Sequence, residues 1–488
     1  MNSELLSLQP ERLWFYFTEI LKIPRPSKKE EKIIAYLKEF GKTHNLETLQ
    51  DETGNILIRK PATQGMENMK SVVLQSHVDM VCEKNNDVEF DFEKDPIQAR
   101  IDGEWVKAKG TTLGADDGIG IAAQLAILEA KDIPHGPIEC LFTVDEETGL
   151  TGAFGLKPGF LQSSVLLNLD SEDEGELFIG CAGGKDTVIE MTYSREEVPE
   201  NHVPFKITVK GLVGGHSGDD IQKGRANANK LLNRILWDGN DNFGLRIHEF
   251  DGGNLRNAIA REAHATVVVP EGRADDFRSF VNLFEKAAQS EYRVTEPNLS
   301  VTIEDAGNPD FIIDKKTQDR LIFSIYACPH GVIAWSAEIP NFVETSTNLA
   351  SVKFKNDRIH ITTSQRSSVE TAKEDIGNMV ASVFRLAGAE VRHTDGYPGW
   401  TPNPDSEIVE ISSKLYSELF NQEPKVLAIH AGLECGLIGD VYPKMDMISY
   451  GPTIKGAHSP DERLQIETVK KFWDLTLAIL KNIPEKKG

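Results

Sequence analysis

No run in the 488-residue chain approaches the ~18 consecutive apolar residues of a membrane-spanning helix. The opening, MNSELLSLQP, lacks the basic-then-apolar order of a secretory signal. Cysteine is scarce: Cys82, Cys140, Cys181, Cys328 and Cys435 are odd in number, widely spaced and form no C-x-x-C pair. That argues against a disulfide framework or a cysteine-held zinc, and for free thiols in a reducing compartment. Positive charge is also in deficit, with 53 Lys and Arg against 76 Asp and Glu and a formal charge of -23. So acidic a surface repels nucleic-acid phosphates and anionic lipid, which excludes both as expected partners. What is present is ordinary for a protein with large buried cores: 40% hydrophobic and 26% charged residues. The length allows about three globular units, and the expectation is a soluble cytoplasmic protein.

The chain opens with two stretches of helical periodicity, PERLWFYFTEILKI and KEEKIIAYLKEFGK, the second preceded by a candidate Ser27/Glu30 capping box. LETLQ, NILIRK and SVVLQSHVDM read as strands, Gly114–Ala130 as a turn feeding a helix, and PIECLFTV and SSVLLNL as further strands. Apolar strands alternating with helices predict an α/β fold with a mostly parallel sheet covered on both faces. From about residue 187 the texture becomes β-α-β-α-β, and a second, similar run follows, which predicts an inserted α+β unit with two halves. After YPGWTPNPDS the helix–strand alternation returns. The expected division is 1–186 and 398–488 for one discontinuous domain and 187–397 for the insert.

Five places share one grammar, an apolar strand-like run followed by acids or a histidine. They are His77 and Asp79 after SVVLQS, Asp116 in the turn before a helix, Glu146 and Glu147 after LFTVD, Asp170 after VLLNL, and His458 after MISYGPTIKGA. Ligands of open α/β sheets bind at the carboxyl ends of the strands, so these side chains can meet at one rim. Two histidines and several carboxylates without cysteine suit zinc, or cobalt or manganese in the same pocket. One carboxylate can bridge two ions, and of the consecutive Glu146 and Glu147 one can ligate while the other abstracts a proton. Asp79 is placed to hold the second nitrogen of His77. The acidic run from Asp170 is not a calcium loop, because its twelfth position is Cys181 rather than Glu. GCAGGK has the wrong glycine spacing for a phosphate loop.

Longer stretches are distinctive: LQSHVDMV, WVKAKGTTLGADDGIG, TVDEETGLTGAFGL, LLNLDSEDEGELFIGCAGG, KGLVGGHSGDDI, GGNLRNAIAREA, HAGLECGL and SYGPTIKGAHSPDE. Together they resemble the M20 metallopeptidase family over essentially the whole chain. The resemblance implies a site for two zinc ions (cobalt or manganese in some members), with Asp116 bridging, His77 and Asp170 on one ion, and Glu147 and His458 on the other. It implies Glu146 as general base and Asp79 as the partner of His77. Asp117 stands beside Asp116 in GADDG and offers a second carboxylate for the bridge. The insert would be a lid whose His216 steadies the oxyanion, while Asn257 and Arg366 grip the substrate backbone and terminal carboxylate. Glu434 would bind the free amine.

The implied activity is hydrolysis of unblocked dipeptides, with Xaa-His, including β-Ala-His, among the substrates. Many relatives pair into homodimers through the lid. An acylamino-acid deacylase of the same superfamily is the competing reading, separated by its need for only one charged terminus. A non-catalytic metal-binding descendant is disfavoured, because such relatives lose a ligand or the base and this chain retains all of them.

Overall fold

Val72–His77 and Ile138–Thr143 are buried at every position, and so is Val165–Asn168. Strands covered on both faces need such unbroken burial, whereas a half-exposed sheet alternates. In the computed structural model, which describes residues 3–403 and 405–486, these strands and Asp446–Ser449 pair in parallel. They form the centre of an eight-stranded sheet. Its order is Glu47–Gln50, Ile56–Lys60, Ile138–Thr143, Val72–His77, Val165–Asn168, Asp446–Ser449, Glu176–Cys181 and Lys425–Ile429. The fold is the expected α/β class, with the parallel pairs confined to those central strands. Antiparallel pairs flank them through Ile56–Lys60 and Glu176–Cys181. Met1, Asn2 and Pro404, which fall in stretches used in the sequence reading, lie outside the described residues, as do Lys487 and Gly488.

The helix Ala115–Glu129 is buried almost all round and packs against Glu11–Ile20 and the Val72–His77 strand. A helix apolar on every side belongs inside a core. Fully buried Phe17, Leu125, Phe142 and Ile448 share this core, each such side chain contributing about 1.5–3 kcal/mol. One expectation fails. The helix after Pro26 runs from Glu31 to Thr43 with no side-chain cap, so the Ser27/Glu30 box does not form. Ser27 Oγ instead donates to Asp79 Oδ2 at 2.7 Å, and Glu30 Oε1 accepts from the amides of Lys28 and Asp145.

The chain divides into two units, one comprising the residues through Cys181, Trp400–Ala428 and those from Leu433 on, the other Ala182–Gly399 and Ile429–Gly432. The break falls at Cys181 rather than near residue 187 because Gly183–Thr192 is one continuous strand of the second unit. The second unit is built on a nine-stranded sheet. Ser300–Asp305, His202–Lys210, Ala263–Pro270 and Arg246–Gly252 form one side. Val343–Lys355, Arg358–Ser367, Gly183–Thr192 and Glu390–His393 form the other, with Gly331–Trp335 added on Val343–Lys355. The two sides join through the single register pair Gly252 and Val352. In His202–Lys210, Phe205, Ile207 and Val209 point inward at period two. They pack with the helices Ala228–Asn242 and Ala274–Glu291. Asn227 caps the first of these, its side chain accepting from the amides of Asn229 and Lys230.

Candidate metal centre

Three of the four central parallel strands deliver a polar residue at or just past the carboxyl end. His77 closes Val72–His77, Asp170 follows Val165–Asn168, and Glu146 and Glu147 follow Ile138–Thr143. Asp116 sits in the first turn of Ala115–Glu129, where its φ of -82° and ψ of 111° take it out of helical geometry. The turn carrying Glu146 and Glu147 is shaped by Asp145, at φ 50°. The Asp145 carboxylate accepts from the hydroxyls of Thr148 and Thr151, which holds that turn.

The side chains converge as two triads. Nε2 of His77 lies 3.0 Å from Asp116 Oδ1 and 3.2 Å from Asp170 Oδ1. Nε2 of His458 lies 3.1 Å from Asp116 Oδ2 and 3.0 Å from Glu147 Oε2. Asp116 is thus common to both, one oxygen in each. Asp117 is not interchangeable with it: Oδ1 of Asp117 accepts the Gly120 amide at 3.1 Å, and Oδ2 is buried without a partner. Glu146 completes a further cluster with His77 and Glu147, their ligating atoms within 4.8 Å of one another. Asp79 Oδ1 stands 3.3 Å from His77 Nδ1, an ion-pair separation without hydrogen-bond geometry. The same carboxylate accepts the amides of Glu146 at 3.0 Å and Glu147 at 3.2 Å. Asp79 therefore braces both the imidazole and the Glu146–Glu147 turn.

Burial and neighbouring charge pull the ionisable groups of the centre in opposite directions. Burial disfavours a charged His77, yet Asp170, Asp116 and Asp79 hold its pKa well above the ordinary imidazole value. Hydrogen bonds to Asp116 and Glu147 push His458 up to about 11. Burial opposes ionisation of Asp116, but His458 and His77 hold its pKa below the usual range. Burial pushes Glu146 well above the ordinary carboxylate value, aided by Asp170, Glu147 and Glu434. Each triad offers one imidazole nitrogen and two carboxylates, and Glu147 Oε1 is buried with no hydrogen-bond partner. The positive groups facing this concentration of negative charge include the two imidazoles and the buried Arg25 guanidinium. The donor set fits two divalent ions, one per triad.

Glu434 belongs to the same unit and is completely buried. Its Oε2 accepts from Gln75 Nε2 and Thr143 Oγ1, each at 2.6 Å, and its Oε1 has no partner. Burial pushes its pKa up to about 7. A raised carboxylate pKa gives stability that is present below the unfolded value and lost as pH rises through the folded one. Glu434→Gln is therefore expected to raise the melting temperature of chelator-treated protein more at pH 8 than at pH 5. Equal shifts at the two pH values in thermal unfolding scans would contradict this.

His216, Asn257 and Arg366 lie in the second unit. His216 and Asn257 line one cavity of about 740 Å³, and Asn257 and Arg366 line a neighbouring one of about 120 Å³. The loops are stitched together by Ser217 N–H to the Asn257 carbonyl and Ile259 N–H to the Gly215 carbonyl. His216 Nδ1 lies 3.2 Å from both the Gly218 amide and Asp219 Oδ2, which hold the ring at its Nδ1 edge. Arg366 is 7% exposed; its Nη1 donates to Tyr397 Oη at 3.1 Å and its Nε has no partner.

Four residues near the centre carried no sequence signal for the roles they take there. Ser27 serves Asp79, Gln75 and Thr143 hold Glu434, and Arg25 is a fully enclosed arginine donating to the Val78 and Asp79 carbonyls. Only PRPS, at the end of the first helix, places a cation near a turn, and nothing in it announces burial. Glu462 falls within the stretch SYGPTIKGAHSPDE, where the sequence gives it no role of its own; it too is buried.

Residues 73–482 match the sequence model of Peptidase family M20/M25/M40. The chain is 46% identical to the cytosol non-specific dipeptidase of Escherichia coli K12 over 484 residues, 99% of this chain and all of that protein. Its structure superposes on the crystal structure of aminoacylhistidine dipeptidase from Vibrio alginolyticus with a TM-score of 0.91, 46% identity and 99% coverage of both chains. A tripeptidase from Staphylococcus aureus shares the fold at a TM-score of 0.57 and 18% identity, covering 98% of this chain and 99% of that one.

Proposed function

This chain belongs to Peptidase family M20/M25/M40, and from that premise we propose that it is a two-metal dipeptidase acting on dipeptides with free termini. The observation that carries the reading is the shared Asp116 carboxylate, one oxygen in each of two imidazole–carboxylate triads. His77, Asp116 and Asp170 would hold one divalent ion, and Asp116, Glu147 and His458 the other. When bound, such ions polarise the scissile carbonyl and lower the pKa of water. No helix of the described residues is long and apolar enough to cross a membrane; together with the name of the Escherichia coli relative, this supports a cytosolic setting.

The chain's own groups do the rest. Glu146 accepts the proton of the attacking water and returns it to the leaving amine. Its backbone amide is tied to Asp79, so the carboxylate is aimed by the same group that braces His77. His216 would supply the donor for the oxyanion, a contribution of ~3 kcal/mol when such a donor is well placed. Arg366, buried and with Nε unpartnered, suits a planar terminal carboxylate, and Asn257 lines the same cavity. Glu434, with one oxygen unpartnered, takes the substrate amine. We assign zinc as the native metal, and Xaa-His dipeptides, β-Ala-His among them, as substrates.

The test is hydrolysis of β-Ala-His, Gly-His, Leu-Gly, a tripeptide and N-acetyl-leucine by chelated protein reloaded with zinc, cobalt or manganese. Metal-dependent cleavage of the dipeptides alone is the expected result. Cleavage of N-acetyl-leucine alone would make the protein a deacylase, and binding of two metals with no cleavage would remove the catalytic reading.

A further inference from the structure

The turn Leu113–Asp116, which carries the shared carboxylate, is gripped from two sides by buried charges. Glu462 is 2% exposed and spreads its carboxylate over four successive amides. Its Oε2 accepts from Leu113 at 2.7 Å and Gly114 at 2.9 Å, and its Oε1 from Ala115 at 2.7 Å and Asp116 at 3.4 Å. Arg25, also 2% exposed, donates through Nη2 to the Gly114 carbonyl at 2.5 Å. Its Nη1 donates to the carbonyls of Val78 at 3.0 Å and Asp79 at 2.5 Å. Gly114 is therefore held at its amide by one charge and at its carbonyl by the other. Its φ of 69° favours glycine, and a Cβ there would lie 2.7 Å from Arg25 Nη2 and 2.8 Å from Met80 Sδ.

The connections matter more than the count of bonds. Arg25 links the Asp116 turn to the residues directly after His77, and Glu462 links it to the segment carrying His458, four positions earlier. The clamp thus touches the backbone beside both imidazoles and the carboxylate they share. Burying two full charges is expensive unless every polar atom is satisfied, and closing a turn needs neither charge. Such groups are suited to holding a backbone in one place against the pull of concentrated negative charge.

Resting on the two-ion reading above, we propose that Arg25 and Glu462 are positioning residues that keep the two oxygens of Asp116 divided between the His77 and His458 triads. Glu462→Gln replaces one acceptor oxygen with an NH2 group facing two amides. Arg25→Lys keeps the charge but loses the fork that spans three carbonyls.

Both variants of the full chain would be assayed for Co2+ affinity by calorimetry and for the Co2+ visible spectrum. Amide exchange of residues 113–116 would be followed in ion-free protein. With circular dichroism unchanged, we expect 10–100-fold weaker binding of at least one Co2+, an altered spectrum, and at least about tenfold faster exchange at those amides. After metal saturation, kcat is expected to fall while KM stays. Folded variants with wild-type Co2+ affinity, spectrum and exchange would overturn the proposal, reducing the clamp to ordinary turn stabilisation. Should Glu462→Gln not fold, Arg25→Lys decides by the same criteria. Wild-type protein binding fewer than two Co2+ would instead overturn the two-ion reading, and with it the division of Asp116.

Discussion

Replacing Glu146 with Gln is expected to lower kcat by about 10²–10⁴-fold, the range associated with loss of a general acid–base group, while both metal ions remain bound. The expectation follows from what the side chain does and does not touch. Glu146 lies within reach of His77 and Glu147 but outside the two triads that share Asp116. Its backbone amide is anchored on Asp79, and a Gln side chain leaves that anchor intact. The carboxylate is held in surroundings that favour its protonated form, through burial and the neighbouring Asp170, Glu147 and Glu434. A carboxylate beside the centre yet outside the two triads is suited to carry a proton between water and leaving amine. Metal content measured by elemental analysis alongside kcat separates the outcomes. Near-normal kcat would remove Glu146 as the base, and loss of an ion would make it a ligand.

Asp116→Asn is expected to have the second large effect: weaker binding of both ions and activity reduced to background. One oxygen of Asp116 serves each triad, and an amide nitrogen cannot take the place of the lost acceptor. His458→Ala removes a ligand from one triad only, so it should weaken one ion and spare the other. Asp117→Asn is the informative companion. Asp117 makes one hydrogen bond, from the Gly120 amide to Oδ1, and burial already favours its neutral form, so the isosteric amide should retain two-ion binding. Two ions bound at wild-type affinity by Asp116→Asn, together with one or none bound by Asp117→Asn, would reverse the roles of the two aspartates. Calorimetric titration of the three variants with zinc decides.

Much of this was legible because motif residues are local. VLQSH, LFTVDEE and VLLNLD each show an apolar strand and the polar residue that ends it within a few positions, and His458 follows MISYGPTIKGA after a longer loop. Strand ends of a parallel sheet must share an edge, so their convergence follows from the pattern. The fold class was legible for the same reason: unbroken apolar runs separated by helices demand a sheet covered on both faces. Ser27/Glu30 shows the opposite case. Its spacing suited a helix cap, but Asp79, 52 positions from Ser27, competes for the serine hydroxyl and takes it. The texture change near residue 187 likewise lay inside a strand, because Gly183–Thr192 pairs with Arg358–Ser367, more than 160 positions away.

The sequence by itself determined which kinds of chemistry this protein can carry: the imidazoles, the carboxylates, their places after strands, and the absence of cysteine ligands. It also determined the α/β class, since burial periodicity is written along the chain. Only the tertiary structure decided which aspartate is shared between the triads, that Arg25 and Glu462 grip the turn beneath it, and that Glu434 is enclosed with Gln75 and Thr143. Glu462 is 346 positions from Asp116 and Glu434 is 359 from Gln75. A charged residue reads the same in a sequence whether it faces water or is buried against backbone amides. Its burial depends on partners that only the folded chain brings within hydrogen-bond distance.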